Sequence, residues 1–286
     1  MSPVTSPKPD FLNLENLFRF FKYAIYILLA YDGVQFFDGD VIASAEIFGE
    51  NVSWRNVIEA YSATFDTAAW VVLLLLFELE TAVIPDHLLK GGLKWLLKSL
   101  SAVAYFFILY SFYGYIVKYG VVSDLTAFSI ADVCNLIGMN YTYVVTLDGY
   151  LPLDQANCTA LNAQALVQIT GTSIIGTQAA LTDAIRLAIV DVVNALDWLI
   201  IVILLEVEVF SQLKDKLTSA MVAISRYLKV FLYTVLFVCA AYWGLKSTFL
   251  DFWDAFLWLV AFIFIELNLF QWHSEAEEEK AQEAMV

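Results

Sequence analysis

The stretch DTAAWVVLLLLFELE, residues 66–80, recurs twice along the chain without a gap, as NALDWLIIVILLEVE at 194–208 and DAFLWLVAFIFIELN at 254–268. Each copy sets an Asp or Asn first, a Trp one helical turn later and a Glu beyond a purely apolar run. Asp66, Asn194 and Asp254 therefore align, as do Trp70, Trp198 and Trp258, then Glu78, Glu206 and Glu266. A further polar position reads Glu80, Glu208 and Asn268. The apolar segments upstream also match: Arg19, Lys22 and Tyr26 share their spacing with Arg226, Lys229 and Tyr233, and more loosely with Lys98, Ser101 and Tyr105. A repeat of this length means one supersecondary unit used three times. The unit is a helical hairpin, and the expected fold is an all-α membrane protein built from three repeated hairpins.

Six apolar segments, at 17–37, 57–82, 99–120, 184–210, 227–246 and 250–272, approach the ~20 residues that cross a bilayer. At 60% hydrophobic residues over 286 positions, the chain holds more apolar side chain than one soluble core of this size buries. The first residues carry Pro3, Pro7, Pro9 and Asp10 rather than a cationic start, so the first segment is expected to stay as a span. Short cytoplasmic loops collect Lys and Arg. With the N-terminus inside, only Arg55, Lys118, Arg186 and Lys246 of the 15 basic residues fall outside. The compact loops point to a bacterial cytoplasmic membrane. Sequons at Asn51, Asn140 and Asn157 fall in outer loops and matter only in a eukaryotic host.

The expected organisation is a cytoplasmic tail (1–16), hairpin one (17–83), a cytoplasmic loop (84–97), hairpin two (98–210), a second loop (211–225), hairpin three (226–272) and an acidic cytoplasmic tail (273–286). Hairpin two carries an outer insert, 121–182, free of Lys and Arg until its end. Within it, 141–147 reads as a strand, Asp148-Gly149 as a turn and 157–170 as a surface helix. Cys134 and Cys158 lie there together and are expected to form a disulfide, because the compartment is oxidising. Cys239 reads as a small apolar residue within a span.

From Asp66 to Glu78 the helix climbs only ~18 Å, against ~30 Å of hydrocarbon, so charge must lie within the membrane. A charged side chain there costs at least ~2.5 kcal/mol. Two readings follow. In one, Arg19 and Lys22 pair with Glu78 or Glu80, Lys98 with Glu206 or Glu208, and Arg226 and Lys229 with Glu266, as locks within each hairpin of a scaffold or accessory subunit. In the other, one aligned set of carboxylates converges on a pseudo-threefold axis and passes cations or protons. Asp66, Asn194 and Asp254 form an outer polar set, suited to an ion site or to interhelical contacts, and the three aligned tryptophans suit packing.

No metal or cofactor motif is present. His87 and His273, the two histidines, lack paired-ligand spacing, and no catalytic constellation emerges. A net charge of −15 excludes nucleic acid as a partner. The expected partners are the lipid bilayer, a cation or proton, and a second copy or a larger membrane complex.

Overall fold

The computed structural model describes residues 14–48, 57–85, 87–213 and 218–265. The protein is mostly helical, with one small sheet. Helix α1 spans Leu14–Phe48, a single turn α2 Val57–Ala60, α3 Ser62–Glu78, α4 Gly91–Ser123, α5 Gln155–Leu161, α6 Gln178–Leu213 and α7 Ser219–Lys246. A last helix, α8, covers 249–265. Three are long and apolar enough to cross a membrane: α4, residues 178–208 of α6 and 220–246 of α7.

Local chemistry sets the helix ends. After α3 the backbone widens into a π-turn, Leu79–Val83, and stops at an extended Ile84, as the clash with Pro85 requires. Thr218 caps α7 through the Met221 N–H. Thr248 and Asp251 form a reciprocal capping box that starts α8, with Asp251 Oδ2 accepting from the Thr248 N–H at 3.1 Å and Thr248 Oγ1 from the Asp251 N–H at 3.4 Å.

One apolar core joins the six long helices, through Ile25 and Leu29 (α1), Leu74 (α3), Ile108 (α4), Ile201 (α6), Leu236 (α7) and Leu257 and Ala261 (α8). Chain neighbours pack side by side, α1 on α3, α3 on α4, α4 on α6 and α6 on α7. Helix α8 fills the remaining side, with Phe264 edge-on to Phe18 at 5.0 Å and Phe262 against Trp198 at 4.3 Å. The apolar surface is turned outward. Only 22% of the most apolar stretch of α4 is buried within the protein, and Phe106, Leu109 and Tyr113 stand exposed on it. A soluble protein would have hidden these rings.

The insert is a folded layer of mixed secondary structure. Strands β1 (Leu125–Phe128), β2 (Thr142–Val144), β3 (Tyr150–Pro152), β4 (Leu166–Ile169) and β5 (Ile174–Thr177) make one sheet in the order β1-β4-β5-β2-β3, antiparallel except for β2 beside β5. Successive residues of a strand face opposite ways. Ile174 accordingly joins Val144, Ile169, Leu181 and Leu187 against the ends of α4 and α6, whereas Ile175 joins Leu136, Cys158 and Leu161 in an outer core under α5. A disulfide links Cys134 to Cys158 in that outer core. Asp132 accepts from the Asn162 amide and the Cys134 N–H, which together hold its carboxyl below the usual carboxylate range.

Two local expectations are corrected. The helix expected over 157–170 occupies 155–161 and gives way to the β4–β5 hairpin, because Thr170-Gly171 supplies a left-handed turn, with Gly171 at φ +77°, between two β-branched runs. The strand expected over 141–147 is only Thr142–Val144, since its remaining residues turn back on Gly149. The inter-helix loops are also shorter than expected, with α4 beginning at Gly91 and α7 at Ser219.

Candidate functional site

The aligned Asp, Asn and Trp positions meet in space. Trp70 lies 6.2 Å from Trp198 and 6.3 Å from Trp258, centroid to centroid, and all three rings are buried. They floor a cavity of about 270 Å³ whose wall includes Asp66, Asn194 and Asp254. All six long helices contribute to it, α1 through Asp40, α4 through Tyr115 and Lys118, and α7 through Trp243. The insert supplies the lip, a turn over residues 146–149 closed by the Gly149 N–H donating to Thr146 O. A Cβ at Gly149 would sit 2.5 Å from Thr146 Oγ1, so a larger residue here would force the Thr146 side chain to turn.

Six carboxylates line the space, Asp40, Asp66, Asp148, Asp191, Asp251 and Asp254, against one cation, Lys118. Lys118 is bonded to Asp148 at the lip. Neutral donors hold one oxygen of most of the others. The Thr64 hydroxyl donates to Asp40 Oδ2 at 2.6 Å, the Tyr115 hydroxyl to Asp66 Oδ2 at 3.1 Å, the Trp243 indole N–H to Asp191 Oδ1 at 3.2 Å, and the Ser247 hydroxyl to Asp251 Oδ2 at 2.6 Å. Asp254 Oδ1 is shut from solvent with no hydrogen-bond partner. One donor to a carboxylate leaves it further acceptor capacity, and carboxylates clustered at low dielectric favour either a proton or a bound cation.

Asp191 and Asp251 are site residues that the aligned set did not include. The signal was present three residues upstream, where Ala63, Asp191 and Asp251 align as the repeat is extended, and all three line the cavity. Lys118 and Asp148 carry no comparable mark, since they meet only when the insert folds back over α4.

The inner glutamates have a different setting. Glu78 is 4% exposed, and Oε1 accepts from Lys22 Nζ at 2.6 Å and the Tyr23 hydroxyl at 3.2 Å, Oε2 from the Tyr26 hydroxyl at 3.3 Å. In the second hairpin the tyrosine aligned with Tyr26, Tyr105, donates to Glu206 at 3.1 Å. The expected pairing of Lys98 with Glu206 or Glu208 is corrected: Lys98 is exposed and makes no ion pair among the described residues, and Lys229 of α7 reaches Glu208 at 2.9 Å instead. The reason is helical phase. Lys98 aligns with Arg19 and Arg226, which are also exposed, whereas the inward position is that of Lys22, occupied in α4 by Ser101, which bonds back to Leu97 O. Glu80 is half-buried on the π-turn. Glu266, Asn268 and His273 lie outside the described residues, and with them the expected pairs to Arg226 and Lys229.

No known family, curated protein or solved structure matches the chain.

Proposed function

We propose that the chain crosses the bilayer six times, with both termini cytoplasmic, and acts as a cation carrier that loads from the outer face. The observation that carries this reading is the cavity, where six carboxylates face one lysine. Five carboxylates beyond the one Lys118 pairs with have no basic residue beside them at the cavity, and such groups are neutralised either by a proton or by a bound cation. The six-span reading draws support from the outward apolar surface of α4, α6 and α7 and from the skew of Lys and Arg. It puts the cavity mouth and the insert on the same, outer side.

Below the cavity the tryptophan floor is packed in one apolar core with Leu74, Ile201 and Ala261, so among the described residues apolar side chains fill the way inward. Passage then needs the helices to rearrange, which suits a carrier better than a pore. The glutamates near the cytoplasmic end act as locks that hold α3 to α1 and α6 to α7, through Lys22–Glu78 and Lys229–Glu208. This is the scaffold role expected of the charges, confined to the inner half.

Uptake by liposomes containing the purified protein tests the reading. With sodium, potassium, magnesium, calcium and aliphatic amines offered outside, at least one should enter faster than into empty liposomes. No excess for any of them would overturn the carrier.

A further inference from the structure

Resting on the carrier reading, we infer that the cavity's ligand is an aliphatic diammonium, a short methylene chain with a protonated amine at each end. The carboxylates are arranged in two tiers. Asp66 and Asp254 stand one helical turn above Trp70 and Trp258, ~6 Å along the axis, and Asp191 and Asp251 lie three residues, ~4.5 Å, further out. Two ammonium groups a few bonds apart match two tiers. A single monatomic ion cannot sit at both tiers, ~4.5 Å apart.

The deep tier also shows the demand for a charge. Asp254, on the cavity wall, has Oδ1 shut from solvent with no hydrogen-bond partner. An ammonium bears three N–H donors, enough to bond several separate carboxylates at once. A metal ion needs ligand atoms within one coordination sphere, and among the described residues no three His, Cys, Asp or Glu converge that closely. The aromatic floor completes the match, because an ammonium and its adjoining methylenes bind well over indole faces. At about 270 Å³ the cavity lies just below the range for drug-sized ligands, which suits a small linear molecule.

Calorimetric titration of the whole protein in detergent tests this, with putrescine, butylamine, sodium and calcium as probes. Putrescine should bind saturably, and butylamine, with one ammonium, about tenfold or more weakly. Asp254→Asn should weaken both amines. Asp191→Asn, in the outer tier, should weaken putrescine by about tenfold and leave butylamine unchanged, a split that general loss of structure does not produce. Asp183→Asn, outside the cavity, should bind as the wild type. Unaltered melting temperatures identify the folded variants. Binding of sodium or calcium without a preference for putrescine would overturn the diammonium and leave the carrier standing. If none of the four probes bound, the diammonium would fall, and the carrier would be decided by the liposome uptake alone.

Discussion

Lys22→Met should destabilise the protein by about 3–5 kcal/mol, and Lys22→Met combined with Glu78→Gln should recover most of that loss. The lysine and the glutamate meet 2.6 Å apart with side chains 6% and 5% exposed, inside the contact between α1 and α3. Removing the cation takes away the ammonium 2.6 Å from a carboxylate that is 5% exposed. The Tyr23 and Tyr26 hydroxyls remain, but two neutral donors compensate a full charge only in part. An amide at 78 has no charge to neutralise, and it can accept from one tyrosine through its oxygen while its NH2 donates to the hydroxyl of the other. Arg19→Ala, at an exposed position, should cost far less. Denaturation in detergent decides the point. Losses that simply add in the double variant would show that Lys22 and Glu78 do not act as a pair.

Replacing Asp66 and Asp254 together by Asn should reduce cation uptake into liposomes to the level of empty ones while leaving the melting temperature near that of the wild type. Both carboxylates lie just above the tryptophan floor, where a cation must be neutralised before the floor can open. Asn keeps the shape and accepts from Tyr115 as Asp66 does, so packing is spared. With two buried carboxylates replaced by neutral amides, local stability should hold or rise. Asn194 supports the choice of substitution, because the repeat already places Asn at this position in its second copy. Retained uptake in the double variant would move the site of passage away from the cavity.

The repeat made the floor of the cavity legible before any coordinates. Residues that share a position in the three aligned segments come to share a level in the protein, so Trp70, Trp198 and Trp258 converge with Asp66, Asn194 and Asp254 on the wall above them. Charge pairing was harder to read, because it depends on helical phase rather than depth. Arg19 and Lys22 are less than one turn apart, and only Lys22 faces α3. Lys229 turned to the neighbouring hairpin, a choice set by how α6 packs on α7. The insert defeated periodicity altogether. Strands of three or four residues are too short to show alternation, and the parallel pairing of β2 with β5 joins segments far apart in the chain. Asp148 and Lys118 become neighbours only through that topology.

An acidic cavity that opens outward and holds a cation is the centre of the proposed function, and one labelling experiment tests both its opening and its occupant. Asn194→Cys, in a Cys239→Ala background with the Cys134–Cys158 disulfide intact, puts one free thiol on the cavity wall. In vesicles of known orientation, an impermeant thiol reagent should label residue 194 from the outer face, and saturating putrescine or another transported cation should slow that labelling. Modification from the cytoplasmic face alone, or an outer rate that no cation changes, would contradict the account.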